Sequence, residues 1–225
     1  MERLHTVIVN LKNYKESTGH NLEPFLNSLN GIEEGRNVRI IMAVTPMDLV
    51  NAKKHSRHEI FSQTVDPVTK GAYTGKTPME SLLEIGVKGS IVNHSENRIE
   101  SGSIKSIMEM AGKYNFETVL CVESLEEAVK YAILRPDFIA YEPPELIGGD
   151  VSVTSAEPSI ISDVVKACNP KNVRVLVGAG VKTSEAARKS IELGADGVLI
   201  ASGIVKAREP AKALNAIIHG IADSF

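Results

Sequence analysis

The chain alternates short apolar runs with longer stretches in which apolar residues recur at helical spacing. The apolar runs are rich in β-branched side chains, which is typical of strands that are buried on both faces. Between them, the positions of Ile104, Ile107, Met108 and Ala111 are typical of the buried face of a helix. The pattern predicts eight strands, at residues 6–9, 39–43, 60–63, 89–93, 118–122, 138–141, 173–177 and 197–200.

A helix is predicted after each strand, and local residues support several of the boundaries. Pro78 suits the first turn of a helix, and Ser124 with Glu127 three residues later forms a capping box. The predicted helices cover residues 21–29, 48–54, 78–85, 104–114, 124–134, 157–166, 183–194 and 210–222. Eight strand–helix units without a break indicate an α/β protein with a single (β/α)8 barrel domain over residues 1–225. An open, doubly wound sheet is the alternative.

Composition excludes several classes of protein. With 225 residues, 43% of them hydrophobic, the chain can bury a sizeable core. A net charge of -3 gives no overall attraction to nucleic acid or to a membrane surface, so any anion site must be local. Cys121 and Cys168 lack metal-ligand spacing, and the start of the chain does not resemble a signal peptide. We therefore expect free thiols, a cytoplasmic protein, and neither a metal nor a cofactor.

Polar side chains follow three of the predicted strands. Asn10 and Lys12 come after the first strand, His94 after the fourth and Glu142 after the sixth. Taken singly, these residues could be a surface lysine, a structural histidine and a solvated carboxylate. In a barrel the strand ends converge on one rim, where a base, an imidazole and a cation together suit removal of a proton next to a carbonyl group.

Small residues follow the last two strands, as Gly178-Ala179-Gly180 and Ala201-Ser202-Gly203. Either loop alone could be a plain turn. The pair favours a phosphate site, because backbone N–H groups can approach an anion closely where side chains are small.

A lid is predicted directly after the sixth strand. Pro143 and Pro144 stiffen the chain beside Glu142, whereas Gly148 and Gly149 loosen it a few residues later. A base beside a loop with one stiff and one mobile end is typical of a lid that closes over an active site.

The residues at these positions resemble those of the triosephosphate isomerase family, in its compact archaeal-type branch. The resemblance runs nearly end to end, and six motifs at family spacing make it specific. They are Asn10-Leu11-Lys12, Gly71-Ala72-Tyr73-Thr74-Gly75, His94-Ser95-Glu96, Tyr141-Glu142-Pro143, the turn from Gly178 to Val181, and Asp196-Gly197-Val198-Leu199.

The resemblance implies interconversion of dihydroxyacetone phosphate and D-glyceraldehyde 3-phosphate, a step of glycolysis and gluconeogenesis, without a cofactor. Glu142 would be the base, His94 the electrophile and Lys12 the cation that stabilises the enediolate. Glu96 would support Lys12, and the positive end of the helix after His94 would keep the imidazole neutral. The implied substrate-binding residues are Asn10, Lys12, Gly148, Gly180, Ala201 and Ser202.

The resemblance also implies self-association, as a dimer or a tetramer. In the family, the loop that matches Gly71 to Gly75 reaches into the neighbouring subunit. The chain departs from the family pattern at Gly149 and Asp150 in the lid, and at Asn97, where arginine is frequent. A phosphoribosyl or thiamin-phosphate type of synthase and a barrel that only binds a phosphorylated metabolite are the alternative functions.

Overall fold

The computed structural model describes residues 4–32, 37–144, 154 and 158–222. Eight parallel strands pair in sequence order and close into a barrel, since β8 pairs with β1. The strands are β1 His5–Asn10, β2 Val38–Val44, β3 Glu59–Ser62, β4 Gly89–Val92, β5 Glu117–Val122, β6 Phe138–Tyr141, β7 Arg174–Val177 and β8 Gly197–Ile200. The predicted barrel is confirmed, and the alternative of an open sheet is wrong.

The described helices surround the barrel and mostly follow the predicted boundaries. They are α1 Leu22–Leu29, α2 Leu49–His55, α3 Met79–Glu84, α4 Ser101–Tyr114, α5 Leu125–Ala132, α6 Pro158–Cys168, α7 Ser184–Glu192, α8 Ser202–Val205 and α9 Pro210–Ala222. Helix α4 begins at Ser101, three residues earlier than predicted. The sequence did not indicate this first turn, because it holds Gly102 and serines, which are weak helix formers and show no apolar pattern. The single-turn helix α8 was not predicted, and residue 157, the predicted start of α6, lies outside the described residues. None of the described helices is both long and apolar enough to cross a membrane.

Apolar side chains fill two layers. One layer lies inside the barrel and includes Ile8, Phe61, Phe138 and Leu199. The larger layer lies between the outer face of the strands and the helices. Because successive strand residues point to opposite faces, both layers together explain why all six residues of β1 are buried.

Ion pairs join several strands at their amino ends. Arg39 on β2 forms two-pronged hydrogen bonds of 2.6–2.8 Å with Glu59 on β3 and Glu117 on β5. Arg174 on β7 also pairs with Glu117, and its guanidinium lies 3.7 Å from the centre of the Phe138 ring. The amino ends are thus fixed by side-chain contacts between strands, whereas the carboxyl ends lead into the loops that carry the candidate site.

Candidate active site

The loops at the carboxyl ends of the strands surround a cleft, here called the rim cleft, with about 490 Å³ of empty space, part of which is open solvent at its mouth. The loops after β1, β4, β6, β7 and β8 all contribute to it. Every described residue that the sequence singled out for catalysis or substrate binding lines this cleft: Asn10, Lys12, His94, Glu142, Gly180, Ala201 and Ser202. Gly148 lies outside the described residues, and the roles of the others stay predictions.

Glu142 is held where β6 ends, with its side chain turned into the rim cleft. Its backbone N–H donates to the carbonyl of Val122 at 2.8 Å, which continues the strand pairing by one residue. The residue is only 4% exposed. Its Oε1 lies 3.5 Å from Nε2 of His94, and its Oε2 accepts no hydrogen bond within the part of the chain that the structure describes. The carboxylate is therefore largely shielded from water, and one of its oxygens has no hydrogen-bond donor among the described residues.

The local turn fixes the tautomer of His94. Nδ1 accepts a hydrogen bond from the backbone N–H of Glu96 at 3.1 Å, so the ring proton of the neutral imidazole is on Nε2. Helix α4 starts only at Ser101. The donor to Nδ1 is thus a backbone group of the turn, and the effect of the helix end on His94 that the resemblance implies stays a prediction. His94 can present an N–H group to an oxygen in the rim cleft.

Asn93 shapes the turn that carries His94. Its backbone is in the left-handed region, with φ of 61°. Its side chain donates to the carbonyl of Cys121 at 3.0 Å and accepts from the N–H of Ile99 at 3.1 Å. These contacts tie the loop after β4 to the neighbouring strand β5, which fixes the place of the imidazole.

Lys12 brings a positive charge to the rim cleft. Its side chain is 12% exposed, and Nζ donates to Oε1 of Glu96 at 2.7 Å. Its backbone is left-handed, with φ of 46°, and its N–H donates to Oδ1 of Asn10 at 3.0 Å. The contact between Glu96 and Lys12 that the resemblance implies is thus confirmed.

Gly178 is in contact with the side chain of Glu142. A β-carbon added to Gly178 would lie 2.4 Å from Cγ of Glu142, closer than atoms can pack. A glycine is therefore required at this position for reasons of space. Gly180, two residues later, has a left-handed backbone with φ of 70°.

Tyr14 and Lys182 also line the rim cleft, and the sequence analysis did not single them out. Lys182 lies in the loop after β7, where its backbone packs against Gly203 in the short helix α8. The ring of Tyr14 lies under Nζ of Lys206 at 4.1 Å. In the sequence, the only sign that these two residues belong to the site is that each follows a predicted strand. That sign is weak, because many residues in such loops face solvent.

Cys121 lies inside the barrel near Glu142 and is 1% exposed. Burial, and then the negative charge of Glu142, raise the pKa of the Cys121 thiol well above its usual range. Both cysteines are free and buried, so the prediction of core thiols is confirmed. Among the described residues, no cluster of histidine, cysteine and acidic side chains could hold a metal ion.

Comparison with known proteins identifies the family. The sequence profile described as triosephosphate isomerase matches residues 5–220, a range that contains all eight strands. The chain belongs to the triosephosphate isomerase family. The triosephosphate isomerase of Thermoplasma volcanium is 49% identical over 96% of this chain and all of that protein. Those of Methanothermus fervidus and Methanobrevibacter smithii are each 37% identical, over 94% and 92% of this chain and 96% and 95% of theirs. The predicted resemblance to archaeal members of the triosephosphate isomerase family is confirmed.

Proposed function

We propose that the rim cleft interconverts dihydroxyacetone phosphate and D-glyceraldehyde 3-phosphate through an enediolate. The observation that carries the proposal is the buried carboxylate of Glu142, which faces an imidazole N–H in a cleft that also holds Lys12. The family of the chain supports the same activity. The synthase alternative does not fit that family, and the non-catalytic alternative is tested by the assay below.

Glu142 acts as the general base of the reaction. It removes a proton from C1 of dihydroxyacetone phosphate, and the C–H electron pair forms the C1–C2 double bond while the carbonyl oxygen takes up the negative charge. The proton of the C1 hydroxyl then passes to the oxygen on C2, so that the C1 oxygen becomes the carbonyl oxygen, while Glu142 returns its proton to C2 and D-glyceraldehyde 3-phosphate is formed. His94 donates its Nε2 hydrogen bond to the oxygen on which charge develops, and Lys12 stabilises the same charge. Asn10 orients the substrate oxygens.

The phosphate group of the substrate binds at the loops after β7 and β8. Gly180, Ala201 and Ser202 line that side of the rim cleft. The first N–H groups of a helix have no partner within the helix, so the start of α8 at Ser202 suits an anion. Gly148, outside the described residues, supplies a further N–H group in this proposal. Pro143 and Pro144 lead from Glu142 to the lid that the sequence predicts, which begins outside the described residues; in this proposal its closure removes water and strengthens the contacts of Lys12.

A test of the base is Glu142→Gln, which keeps the shape of the side chain but cannot accept the proton. We expect kcat to fall by at least about 100-fold, the low end for loss of a general base, while the substrate still binds. A coupled assay with glyceraldehyde 3-phosphate measures this. Glu126→Gln makes the same charge change on the exposed face of α5 and is the control. Unchanged turnover in the Glu142 variant would exclude Glu142 as the base.

We also propose that the chain associates with copies of itself through the loop from Gly71 to Gly75. A second depression, the side hollow, opens next to Lys12 and is lined by residues that include Pro46, Gln63 and Asn97. Three apolar side chains that lie in the loop or follow Pro46 closely in the sequence are exposed: Met47 by 87%, Val50 by 52% and Tyr73 by 49%. In the proposed assembly, the loop of one copy fills the side hollow of another and covers this apolar surface.

The base of the loop is held by two carboxylates. Asp66 accepts hydrogen bonds from the N–H of Thr77 at 2.8 Å and from Nζ of Lys76 at 3.1 Å. Glu80 accepts from the N–H of Lys70 at 2.6 Å. A loop that is ordered before it binds loses less conformational entropy on association, which favours the proposed docking.

We place this activity in the cytoplasm. Both cysteines are free and buried, which suits a reducing compartment. The proposed substrates are phosphorylated intermediates of central carbon metabolism, which is consistent with the same location.

A further inference from the structure

Lys12 has a backbone conformation that its own side chain disfavours. With φ of 46°, it lies in the left-handed region, where the β-carbon crowds the backbone. Such a conformation persists only where the surrounding structure holds it. The N–H of Lys12 is held by Oδ1 of Asn10, and the N–H of the preceding Leu11 by the carbonyl of Ala43. The carbonyl of Lys12 is bound by a different residue.

That partner is the side chain of Gln63. Its Nε2 donates to the carbonyl of Lys12 at 3.0 Å and to the carbonyl of Ala43 at 3.1 Å. Gln63 follows β3 directly, and its backbone N–H donates to the carbonyl of Val44 at 3.0 Å. This hydrogen bond fixes the backbone position of Gln63, and with it the start of its side chain. One NH₂ group thus bridges the ends of β1 and β2 from the end of β3. A glutamine can do this because it offers two donors on one nitrogen.

We propose that Gln63 is a positioning residue for Lys12. It holds the carbonyl of Lys12 in the left-handed turn and thereby aims the ammonium group into the rim cleft. This inference rests on the proposed function, because it concerns the placement of the cation that stabilises the enediolate. Without the amide, the peptide after Lys12 relaxes to an ordinary conformation, and the direction of the side chain changes with it.

The test is a double-mutant cycle with Gln63→Met and Lys12→Ala. Methionine keeps the length of the side chain and removes both donors. In the wild-type background we expect Gln63→Met to lower kcat/KM by about 10- to 100-fold, the range for loss of two hydrogen bonds that position a charged group. In the Lys12→Ala background the same change should alter kcat/KM by less than about twofold, since no ammonium group is left to position.

Asn30→Asp is a matched control for loss of an amide that bridges backbone groups. The side chain of Asn30 donates to the carbonyl of His55 at 2.7 Å and accepts from the N–H of Arg57 at 2.8 Å, at the opposite end of the barrel. This variant should lose thermal stability and keep its kcat/KM.

A second control concerns the assembly state, because Gln63 also lines the side hollow. Sedimentation under assay conditions should show the same assembly state for all variants, so that a change in kcat/KM is not due to dissociation.

The outcomes separate the inference from the function on which it rests. If Gln63→Met lowers kcat/KM equally with and without the lysine side chain, Gln63 does not act through Lys12 and the inference is wrong. A loss below twofold in the wild-type background overturns it as well. A wild-type chain without isomerase activity would overturn the proposed function itself.

Discussion

At the scale of single residues, the candidate site depends on neighbours that supply space or hold the backbone. Gly178 leaves room for the side chain of Glu142, and the N–H of Glu96 fixes the tautomer of His94. None of these neighbours needs to react with a substrate. They decide where the reacting groups are, and placement errors of about 1 Å are enough to reduce catalysis by about 100-fold.

Gly178→Ala should therefore displace the proposed base. The added methyl group would lie 2.4 Å from Cγ of Glu142, so the carboxylate must move. We expect kcat to fall by about 10- to 100-fold, with a smaller change in KM. Steady-state kinetics on the purified variant measures both constants.

The control for this prediction is Gly102→Ala in the first turns of α4. A β-carbon there would meet nothing within 4 Å. That variant should keep full activity and gain a few tenths of a kcal/mol to about 1 kcal/mol in stability, since alanine is the better helix former. Equal kcat values for the two alanine variants would show that the contact between Gly178 and Glu142 does not position the base.

At the scale of secondary-structure elements, the two ends of the strands differ in what they contribute to the protein. The carboxyl ends of five strands lead to the rim cleft, whereas the amino ends of β2, β3, β5 and β7 carry the ion pairs of Arg39 and Arg174. Substitutions at the amino ends should thus change stability and leave turnover intact.

Glu117 provides a test with a defined pH dependence. Burial alone would raise the pKa of Glu117, but the hydrogen bonds and charge of Arg39, together with Arg174, outweigh it and hold that pKa below its usual value. A carboxyl whose pKa is lowered by folding stabilises the protein above its unfolded pKa of about 4.3 and loses this contribution as the pH falls through the folded pKa.

Glu117→Gln should accordingly lower the free energy of unfolding by roughly 1–3 kcal/mol at neutral pH. The difference from wild type should shrink as the pH falls below about 4.3. Denaturant unfolding at a series of pH values measures it. A difference that is independent of pH across this range would contradict the ion-pair explanation, and kcat at neutral pH should equal that of wild type.

At the scale of the whole molecule, a single barrel contains the base, the imidazole and the cation, yet it leaves apolar side chains exposed beside them. Met47, which follows Pro46 of the side hollow, and Tyr73, in the loop from Gly71 to Gly75, are both exposed. In the proposed assembly, covering this surface also closes the hollow behind Lys12. Activity and self-association are then linked through the loop from Gly71 to Gly75.

Thr74→Arg should weaken the proposed assembly. A long charged side chain at the tip of the loop adds volume and an unpaired charge to an interface. Analytical ultracentrifugation should show smaller species at micromolar concentration, and specific activity should fall on dilution. Asn215→Arg adds the same charge on the exposed face of α9 and should leave the assembly unchanged. The same sedimentation for Thr74→Arg and wild type would contradict the role of the loop.

Much of the fold was predictable because it depends on local patterns. The run of β1 is apolar because both of its faces are buried, and such runs mark strands without knowledge of their neighbours. The boundary of α4 was less predictable, since its first turn contains Gly102 and has no apolar face. The convergence of Lys12, His94 and Glu142 was also predictable, because a closed parallel barrel brings all carboxyl ends of its strands to one rim.

Other features of the site depend on distances across the barrel. Gln63 contacts Lys12 from two strands away, and nothing in the residues around Gln63 indicates where its amide points. The clash that excludes a side chain at Gly178 likewise depends on how close β6 and β7 lie.

The sequence by itself therefore determined the order of the elements, the closed barrel and the types of residue at the rim, because these follow from periodic burial and from strand direction. Only the tertiary structure decided what holds the left-handed backbone of Lys12 and why residue 178 lacks a side chain. Hydrogen bonds and steric contacts are set within a few tenths of an ångström, and only the packed arrangement of strands from distant parts of the chain fixes distances that finely.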